Sequence, residues 1–170
     1  MKISLVGFMG TGKTTVGKKL ADKLNLEFLE TDSMIEDKTK KSIPEIFSQN
    51  GEDYFRTQEK NILNKIIDEK ENFVLSTGGG IVISPQNRQL LKNRTHAILL
   101  KASPEVIYQR TKNDEARPLL QSDNPLQKIK KLLEARQDYY QQFFNKIDTD
   151  HKNPKKIVKE IINLLGINKV

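Results

Sequence analysis

The sequence contains no cysteine and only two histidines, His96 and His151. Without cysteine there are no disulfide bonds, no thiolate metal sites and no thiol catalysis. Two histidines argue against a histidine-based metal centre, and we interpret both as ordinary surface or strand-edge residues. Any chemistry therefore has to run on carboxylates, ammonium and guanidinium groups, hydroxyls and backbone amides.

Long apolar runs are also missing. The opening MKISLVGFMGTG has a short apolar stretch before its glycines and lysine, which fits neither a signal peptide nor a membrane span. No later run is long enough to cross a bilayer, so we expect a cytoplasmic protein without a membrane partner. The length of 170 residues suits one sizeable core, and nothing has the composition of a linker. We expect a single domain over residues 1–170 and a monomer.

The formal net charge of +7 raises the question of nucleic-acid binding, because a basic face attracts phosphate polymers. The lysines are interleaved with acids, however, as in DKTKKS, and no basic stripe carries the aromatic residues that stack on bases. We interpret the surplus as a solvated lysine-rich surface and expect no nucleic-acid partner. Attraction of small anionic substrates is the alternative.

Apolar strand-like runs alternate with segments of helical period along the whole chain. The predicted strands are 3–6, 27–30, 73–76 and 97–101, with a weaker fifth at 143–147. Four helix starts are marked by a capping side chain near a proline: Ser42 with Pro44, Ser84-Pro85, Ser103-Pro104 and Asn153-Pro154. This alternation predicts a three-layer α/β/α sandwich around a five-stranded, mainly parallel sheet, with ligands at the carboxyl ends of the strands.

The segment GFMGTGKT, residues 7–14, fits the pattern G-x-x-x-x-G-K-[ST]. It follows a predicted strand and opens a predicted helix, which is the context that the motif requires. Glycines let the backbone N–H groups turn inward toward a phosphate, and the helix adds its positive N-terminal end. Lys13 is then expected to reach the β- and γ-phosphates, and the Thr14 hydroxyl to ligate Mg²⁺. The motif predicts a nucleotide site without deciding between hydrolysis, signalling and phosphoryl transfer.

One string favours a GTP-binding switch: NKID, residues 145–148, matches the N-K-x-D sequence that contacts guanine in GTPases. That family also carries D-x-x-G, and no aspartate here has a glycine three residues later. We interpret NKID as a chance match at a strand edge, which leaves the switch as the weaker hypothesis.

Three further segments favour a kinase with a small second substrate. TGGGIV places three consecutive glycines at the end of a buried strand, where a ligand can approach the backbone closely. GEDYFRTQE puts Arg56 and Glu59 on one side of a helix, which alone is an ordinary surface pair. NDEARPLLQSDN has the composition of a mobile lid, predicted at about 112–124, that carries Arg117 toward the γ-phosphate.

Together these segments resemble the shikimate kinase family over essentially the full length. The resemblance rests on GFMGTGKTT, ETDSMIE, SIPEIFSQNGEDYFRTQE, STGGGIV, EARPLL and EARQDYY, in the family's order and at its spacings. It implies a P-loop kinase fold with a substrate-binding helical region at about 33–61. It also implies transfer of phosphate from ATP, with Mg²⁺ as cofactor, to the 3-hydroxyl of shikimate, giving shikimate 3-phosphate and ADP in the pathway to chorismate and aromatic amino acids.

The resemblance assigns roles to individual residues. It implies that Asp32, Lys13 and Arg117 are catalytic, Asp32 by aligning the attacking hydroxyl and accepting its proton late in the reaction. The residues implied to contact ATP are Gly10, Thr11, Gly12, Lys13, Thr14, Thr15, Arg110, Arg117, Lys152, Asn153 and Pro154. The residues implied to contact shikimate are Asp32, Arg56, Glu59, Gly79, Gly80 and Arg136, with Phe47, Phe55 and Ile43 as the apolar wall. Paired guanidiniums suit a planar carboxylate better than lysines would.

The sequence departs from the family pattern at two positions. Glu30 stands where the family usually has the first aspartate of D-x-D, which contacts Mg²⁺ through water; glutamate keeps the charge on a longer side chain. Asp138 stands where R-x-P-x-Y usually has proline, and we expect its carboxylate to face away from Arg136. A related small-molecule kinase, such as one for gluconate, is the alternative enzyme.

Overall fold

The computed structural model describes residues 1–112 and 124–167. Five strands lie in this part of the chain: β1 (Lys2–Val6), β2 (Glu27–Glu30), β3 (Phe73–Ser76), β4 (His96–Lys101) and β5 (Asn145–Asp148). The helices are α1 (Lys13–Leu24), α2 (Thr31–Thr39), α3 (Ile43–Glu69), α4 (Pro85–Arg94), α5 (Pro104–Thr111), α6 (Pro125–Ala135), α7 (Gln137–Gln141) and α8 (Pro154–Leu164), with a 3₁₀ turn at Ile81–Ile83.

The strands form one sheet in the order β2-β3-β1-β4-β5. All four neighbouring pairs are parallel, so the carboxyl ends of the strands lie along one edge. β1 is central, and the chain leaves it first toward β2 and β3 and later toward β4 and β5. Such a change of direction opens a crevice at the carboxyl ends, which is where α/β proteins bind ligands.

The inner strands β1, β3 and β4 are buried on both faces over most of their length, as their continuous apolar runs predicted, whereas the edge strands β2 and β5 are more exposed. In β1, Ile3 and Leu5 pack into the cluster that includes α1 and α8, whereas Val6 belongs to the cluster on the opposite face with α3, α4 and α5. Helices therefore cover both sides of the sheet. The predicted three-layer α/β/α fold is confirmed.

The predicted helix starts are confirmed. Ser42, Ser84, Ser103 and Asn153 each accept a hydrogen bond from a backbone N–H in the first turn, and each is followed by proline within two residues. Ser42 forms a full capping box with Glu45. Asn124 caps α6 in the same way before Pro125, a start that the sequence analysis did not identify.

The fifth strand begins two residues later than predicted. Phe143 is fully buried, and its N–H bonds the Tyr140 carbonyl at 3.2 Å, which places its backbone in a turn after α7. Phe144 is 93% exposed. Pairing with β4 starts only at Asn145, opposite Ile98. Burial of Phe143 is therefore packing from a turn and not from a strand.

Helix α3 contains a break at Gly51, whose φ of 81° and ψ of 170° are not helical. The break separates residues 43–50 from the segment that carries Arg56 and Glu59. Arg117 and nearly all of the predicted lid at 112–124 lie outside the described residues. Among the helices that are described, none has the length and apolar character needed to cross a membrane.

Candidate active site

The phosphate-loop motif forms the turn between β1 and α1. Gly10 and Gly12 have φ values of 76° and 92°, in the left-handed region that glycine adopts without strain. Gly12 immediately precedes the first turn of α1 and has no side chain to cap it, so the backbone N–H groups of that turn remain available to an anion. The geometry is that of a phosphate cradle.

Lys13 is the buried cation of this loop. Its Nζ donates to the carbonyl oxygens of Gly7, at 2.8 Å, and Phe8, at 2.9 Å. The Thr11 hydroxyl donates to the same Phe8 carbonyl at 2.8 Å and stiffens the loop from inside. The ammonium is thus held against the loop backbone, at the place where a bound phosphate would require positive charge.

Three oxygen-bearing side chains meet at the carboxyl ends of β2 and β3. The Thr14 hydroxyl donates to Glu30 Oε1, and the Ser76 hydroxyl lies 3.4 Å from both of these atoms. Hydroxyl and carboxylate oxygens are the ligands that Mg²⁺ takes from proteins, with water and phosphate oxygens completing the octahedron. Residues 1–112 and 124–167 contain no cluster of three or more acidic or histidine side chains that could hold a metal alone. The donor set fits an ion that arrives with a nucleotide.

Asp32 and Glu59 come from different helices and converge on Gly78. A methyl group at Gly78 would lie 2.7 Å from Asp32 Oδ1 and 2.9 Å from Glu59 Oε1. Burial raises the pKa of Asp32, against the opposing effect of the Lys13 ammonium. Burial also raises the pKa of Glu59, to about 7, although Arg56 acts in the other direction. The first glycine of the TGGG segment makes room for both carboxyl groups.

Arg56 lies between two glutamates of its own helix. Its Nη1 donates to Glu59 Oε2 at 3.0 Å, which confirms that the two side chains share one side of α3. Its Nε and Nη2 donate to Glu52 Oε1 at 3.1 and 3.0 Å. A methyl group at Gly80 would lie 2.5 Å from Nη2, so the guanidinium rests directly on the third glycine. Glu52 was not among the predicted site residues; its i, i+4 spacing to Arg56 could have indicated the contact.

Arg136 reaches the middle glycine from the end of α6. Its Nη1 and the Tyr140 hydroxyl each donate to the Gly79 carbonyl at 3.2 Å. The guanidinium carbon also lies 5.5 Å from the centre of the Phe8 ring, a cation–π contact with the phosphate loop. Burial raises the pKa of Tyr140 to about 12, so this hydroxyl stays protonated and keeps donating. The two predicted arginines therefore sit on neighbouring glycines, Gly79 and Gly80.

The residues of the predicted apolar wall lie close together. The rings of Phe47 and Phe55 lie with centroids 4.9 Å apart, and Ile43 packs against the same cluster. Asp138 is exposed, and within the described part of the chain it forms no ion pair with Arg136.

Of the residues predicted to contact adenine, Arg110 lies beside the phosphate loop, and Lys152, Asn153 and Pro154 lie where the chain passes from β5 into α8. Arg110 donates to the Gly10 carbonyl at 3.2 Å and to the Thr149 carbonyl at 2.8 Å, and so joins the loop to the chain after β5. Lys152 pairs with Glu160 at 2.7 Å. Asn153 caps α8, and Pro154 is its first residue. Thr15 is exposed on the first turn of α1.

The fold and this site define a P-loop kinase of small molecules. A family model described as "Shikimate kinase" matches residues 9–166. The shikimate kinase of Pelotomaculum thermopropionicum is 44% identical over 163 residues, covering 96% of this chain and 94% of that protein. The chain therefore belongs to the shikimate kinase family.

Solved structures agree with this assignment. The shikimate kinase of Acinetobacter baumannii, solved in complex with shikimate, superposes with a TM-score of 0.92 at 42% identity, covering 99% of this chain and 94% of the other. A gluconokinase of Sinorhizobium meliloti superposes with a TM-score of 0.66 at 17% identity, which is a likeness of fold only.

Family membership favours shikimate kinase over the two alternatives, a gluconate kinase and a GTP-binding switch. The NKID string that suggested a switch is β5, at the edge of the sheet, as interpreted. Asp148, which would contact guanine in a switch, accepts from the Asp150 N–H at 2.8 Å.

Proposed function

We propose that this protein transfers the γ-phosphoryl group of MgATP to the 3-hydroxyl of shikimate, giving shikimate 3-phosphate and ADP. The observation that carries the proposal is the placement of Arg56 on Gly80 and of Arg136 on Gly79. The preceding glycine, Gly78, lies against the Asp32 carboxyl group, and Gly79 also lies against Met9 of the phosphate loop. A ring with a carboxylate and hydroxyl groups matches these partners. The Acinetobacter baumannii relative, 42% identical, was solved with shikimate.

The two arginines are proposed to bind the substrate carboxylate. Guanidiniums donate two parallel N–H groups to a carboxylate, which fixes both its position and its plane. Glu59 holds Arg56 from the buried side at 3.0 Å, and Gly79 holds Arg136 at 3.2 Å. Phe47 and Phe55 are proposed to cover the apolar face of the ring.

Asp32 is proposed to orient the attacking hydroxyl. An alcohol is less acidic than an ordinary carboxyl group by roughly ten pK units, so Asp32 does not deprotonate it in advance. In a loose transition state the hydroxyl loses its proton late, and alignment is the main requirement. Burial raises the pKa of Asp32, which makes it a better acceptor once the new O–P bond forms.

The phosphate loop is proposed to hold ATP. Lys13 would exchange its contacts with the Gly7 and Phe8 carbonyls for phosphate oxygens, and Arg117 would add a second positive charge. Arg110, Lys152, Asn153 and Pro154 are proposed to line the adenine site.

Thr14 is proposed to ligate Mg²⁺ through its hydroxyl, with Glu30 one water molecule away. The ion would neutralise charge on the β- and γ-phosphates. The hydrogen bond from Thr14 to Glu30 keeps the hydroxyl oxygen at the edge of the loop, and Ser76 adjoins both side chains. We expect activity with Mg²⁺; activity with Mn²⁺ alone would contradict the role given to Glu30.

The test is ADP formation from MgATP with shikimate, and with gluconate as control substrate, for wild type, Arg56→Ala and Arg94→Ala. Arg94 is the matched control because it lies on α4 and its ion pair with Asp68 of α3 is exposed. We expect turnover with shikimate alone, a large rise in the shikimate KM for Arg56→Ala, and no change for Arg94→Ala. No stimulation by shikimate would overturn the proposal, and faster turnover with gluconate would favour the alternative kinase.

The preference for ATP over GTP is tested by the melting temperature of the protein, because a ligand that binds the native state stabilises it. We expect MgATP to raise the melting temperature more than MgGTP. The reverse order would favour the GTP-binding switch. The single domain, the monomeric state and the cytoplasmic location stay predictions of the sequence.

A further inference from the structure

Arg88 is a buried arginine outside the site described above. It lies on α4, and only 9% of its surface is exposed. Its Nη1 donates to the carbonyl oxygens of Val82, at 2.6 Å, and Ile83, at 3.1 Å. These carbonyls belong to the 3₁₀ turn at Ile81–Ile83. The turn directly follows Gly78, Gly79 and Gly80, which we call the glycine segment. One end of the guanidinium is therefore tied to the backbone that leaves Gly80.

The other side of the same guanidinium contacts α7 and the residue after it. Nε donates to Gln142 Oε1 at 3.1 Å, and the guanidinium carbon lies 4.5 Å from the centre of the Tyr139 ring. Within residues 1–112 and 124–167, no carboxylate lies within salt-bridge distance of Arg88. Neutral carbonyls, an amide and an aromatic face thus hold a buried cation. Such burial is costly, and a fork of donors that stacks on a ring is what makes it tolerable.

The two segments joined by Arg88 are also the two partners of the contact that orients Arg136. Gly79 lies two residues before the 3₁₀ turn, whereas Arg136 directly precedes α7 and Tyr140 lies on α7 next to Tyr139. Both side chains donate to the Gly79 carbonyl at 3.2 Å. Any shift of α7 against the glycine segment would change these distances. Arg88 contacts both segments, and neither Asp32 nor Arg56 is among the residues that these contacts involve.

We propose that Arg88 is a positioning residue for shikimate binding. It holds α7 against the glycine segment, so that Arg136 is already placed for the substrate carboxylate before shikimate arrives. This inference rests on the proposed function, because it assumes that Arg136 binds that carboxylate. Preorganisation lowers the free-energy cost of ordering Arg136 when shikimate binds. Loss of Arg88 therefore weakens shikimate binding and leaves MgATP binding unaffected.

The central variant is Arg88→Met, which keeps an unbranched side chain of similar length and removes all the donors. We expect the KM for shikimate to rise about tenfold, as for a loss of about 1.4 kcal/mol. The KM for MgATP and kcat should change less than about threefold. Arg88→Lys keeps the charge but not the fork or the stacking, and should recover only part of the loss. Arg94→Met, on the exposed side of the same helix, is the matched control.

A purely structural role would lower the melting temperature and the active fraction without changing the KM for shikimate selectively. An unchanged shikimate KM, or an equal rise for both substrates, would therefore overturn the inference. Gln142→Ala and Tyr139→Leu remove the partners on α7 while Arg88 stays, and they replace Arg88→Met if that variant does not fold. Each should raise the shikimate KM in the same direction by about two- to threefold, as loss of one weak contact would; no rise in either overturns the inference.

A double-mutant cycle tests whether Arg88 acts through Arg136. In an Arg136→Ala background, Arg88→Met should have little further effect on the KM for shikimate, because the group that it positions is gone. Full additivity would overturn the inference. Turnover of shikimate by the wild type is measured in the same series, so failure of the proposed function is seen separately, as no turnover in any variant.

Discussion

Glu59 accepts a hydrogen bond from Arg56 through Oε2 at 3.0 Å, whereas its other carboxylate oxygen is buried without a hydrogen-bond partner in the described part of the chain. Only 1% of this side chain is exposed. Burial consequently raises its pKa from 4.5 to about 7, with Arg56 opposing the rise. The residue that orients the proposed carboxylate-binding arginine is thus itself close to titration at neutral pH.

This relationship predicts a pH dependence of stability. Between pH 4.5 and about 7 the folded state keeps a proton on Glu59 that the unfolded state releases. The resulting contribution to the free energy of unfolding is fully present below about pH 4.5 and is lost as the pH rises through about 7. Glu59→Gln removes this loss, so its stability relative to wild type should increase across that window. Chemical denaturation at a series of pH values measures it, with the exposed Glu52→Gln as control. A constant difference between Glu59→Gln and wild type would show that Glu59 does not titrate there.

The contact between Glu52 and Arg56 predicts a change in the affinity for shikimate. Its carboxylate occupies the Nε and Nη2 donors of Arg56 at 3.1 and 3.0 Å, and a substrate carboxylate would compete for the same guanidinium. Glu52→Gln should lower the KM for shikimate up to about fivefold, since an exposed pair is worth at most about 1 kcal/mol. Steady-state kinetics at saturating MgATP measures this, with the adjacent Asp53→Asn as control. A higher KM would mean that Glu52 helps to orient Arg56 and does not compete with shikimate.

The third glycine of the TGGG segment predicts a steric effect. A methyl group at Gly80 would lie 2.5 to 2.8 Å from the guanidinium atoms of Arg56 and would displace them. Gly80→Ala should therefore raise the KM for shikimate at least tenfold, as loss of a charge-assisted contact of about 1.5 kcal/mol or more would, with little change in the KM for MgATP. Gly166→Ala is the contrast: nothing lies within 4 Å, but φ is +64°, so it should cost about 1 kcal/mol of stability without a kinetic effect. Equal kinetic effects in both variants would rule out the steric account.

The hydrogen bonds of Arg110 predict an effect confined to nucleotide binding. It joins the Gly10 carbonyl in the phosphate loop to Thr149 after β5, with bonds of 3.2 Å to Gly10 and 2.8 Å to the Thr149 carbonyl. Arg110→Ala should raise the KM for MgATP by roughly three- to tenfold, given about 1 kcal/mol per hydrogen bond. The shikimate KM should stay the same. Gln109→Ala, exposed on the same helix α5, is the control; a selective rise in the shikimate KM would contradict the assignment.

Features that depend on neighbours in the chain could be predicted from the sequence. The phosphate loop needs two glycines in left-handed conformations followed by a helix, and each of these requirements is local. Helix starts at Ser42, Ser84 and Ser103 follow the same logic, because the cap and the N–H that it accepts are three residues apart. The predicted start of the fifth strand was two residues too early, because an apolar residue, Phe143, can be buried from a turn as well as from a strand.

The sequence alone determined the α/β class, the phosphate loop, the i, i+3 pair of Arg56 and Glu59, and the resemblance that named the reaction. Only the tertiary structure decided which other residues these residues contact. The contact of Arg136 and Tyr140 with Gly79 joins segments 57 and 61 residues apart, and that of Arg88 with Gln142 spans 54. Such pairs depend on the strand order β2-β3-β1-β4-β5 and on which helix faces pack together. These arise from burial summed over the whole chain, and no local spacing encodes them.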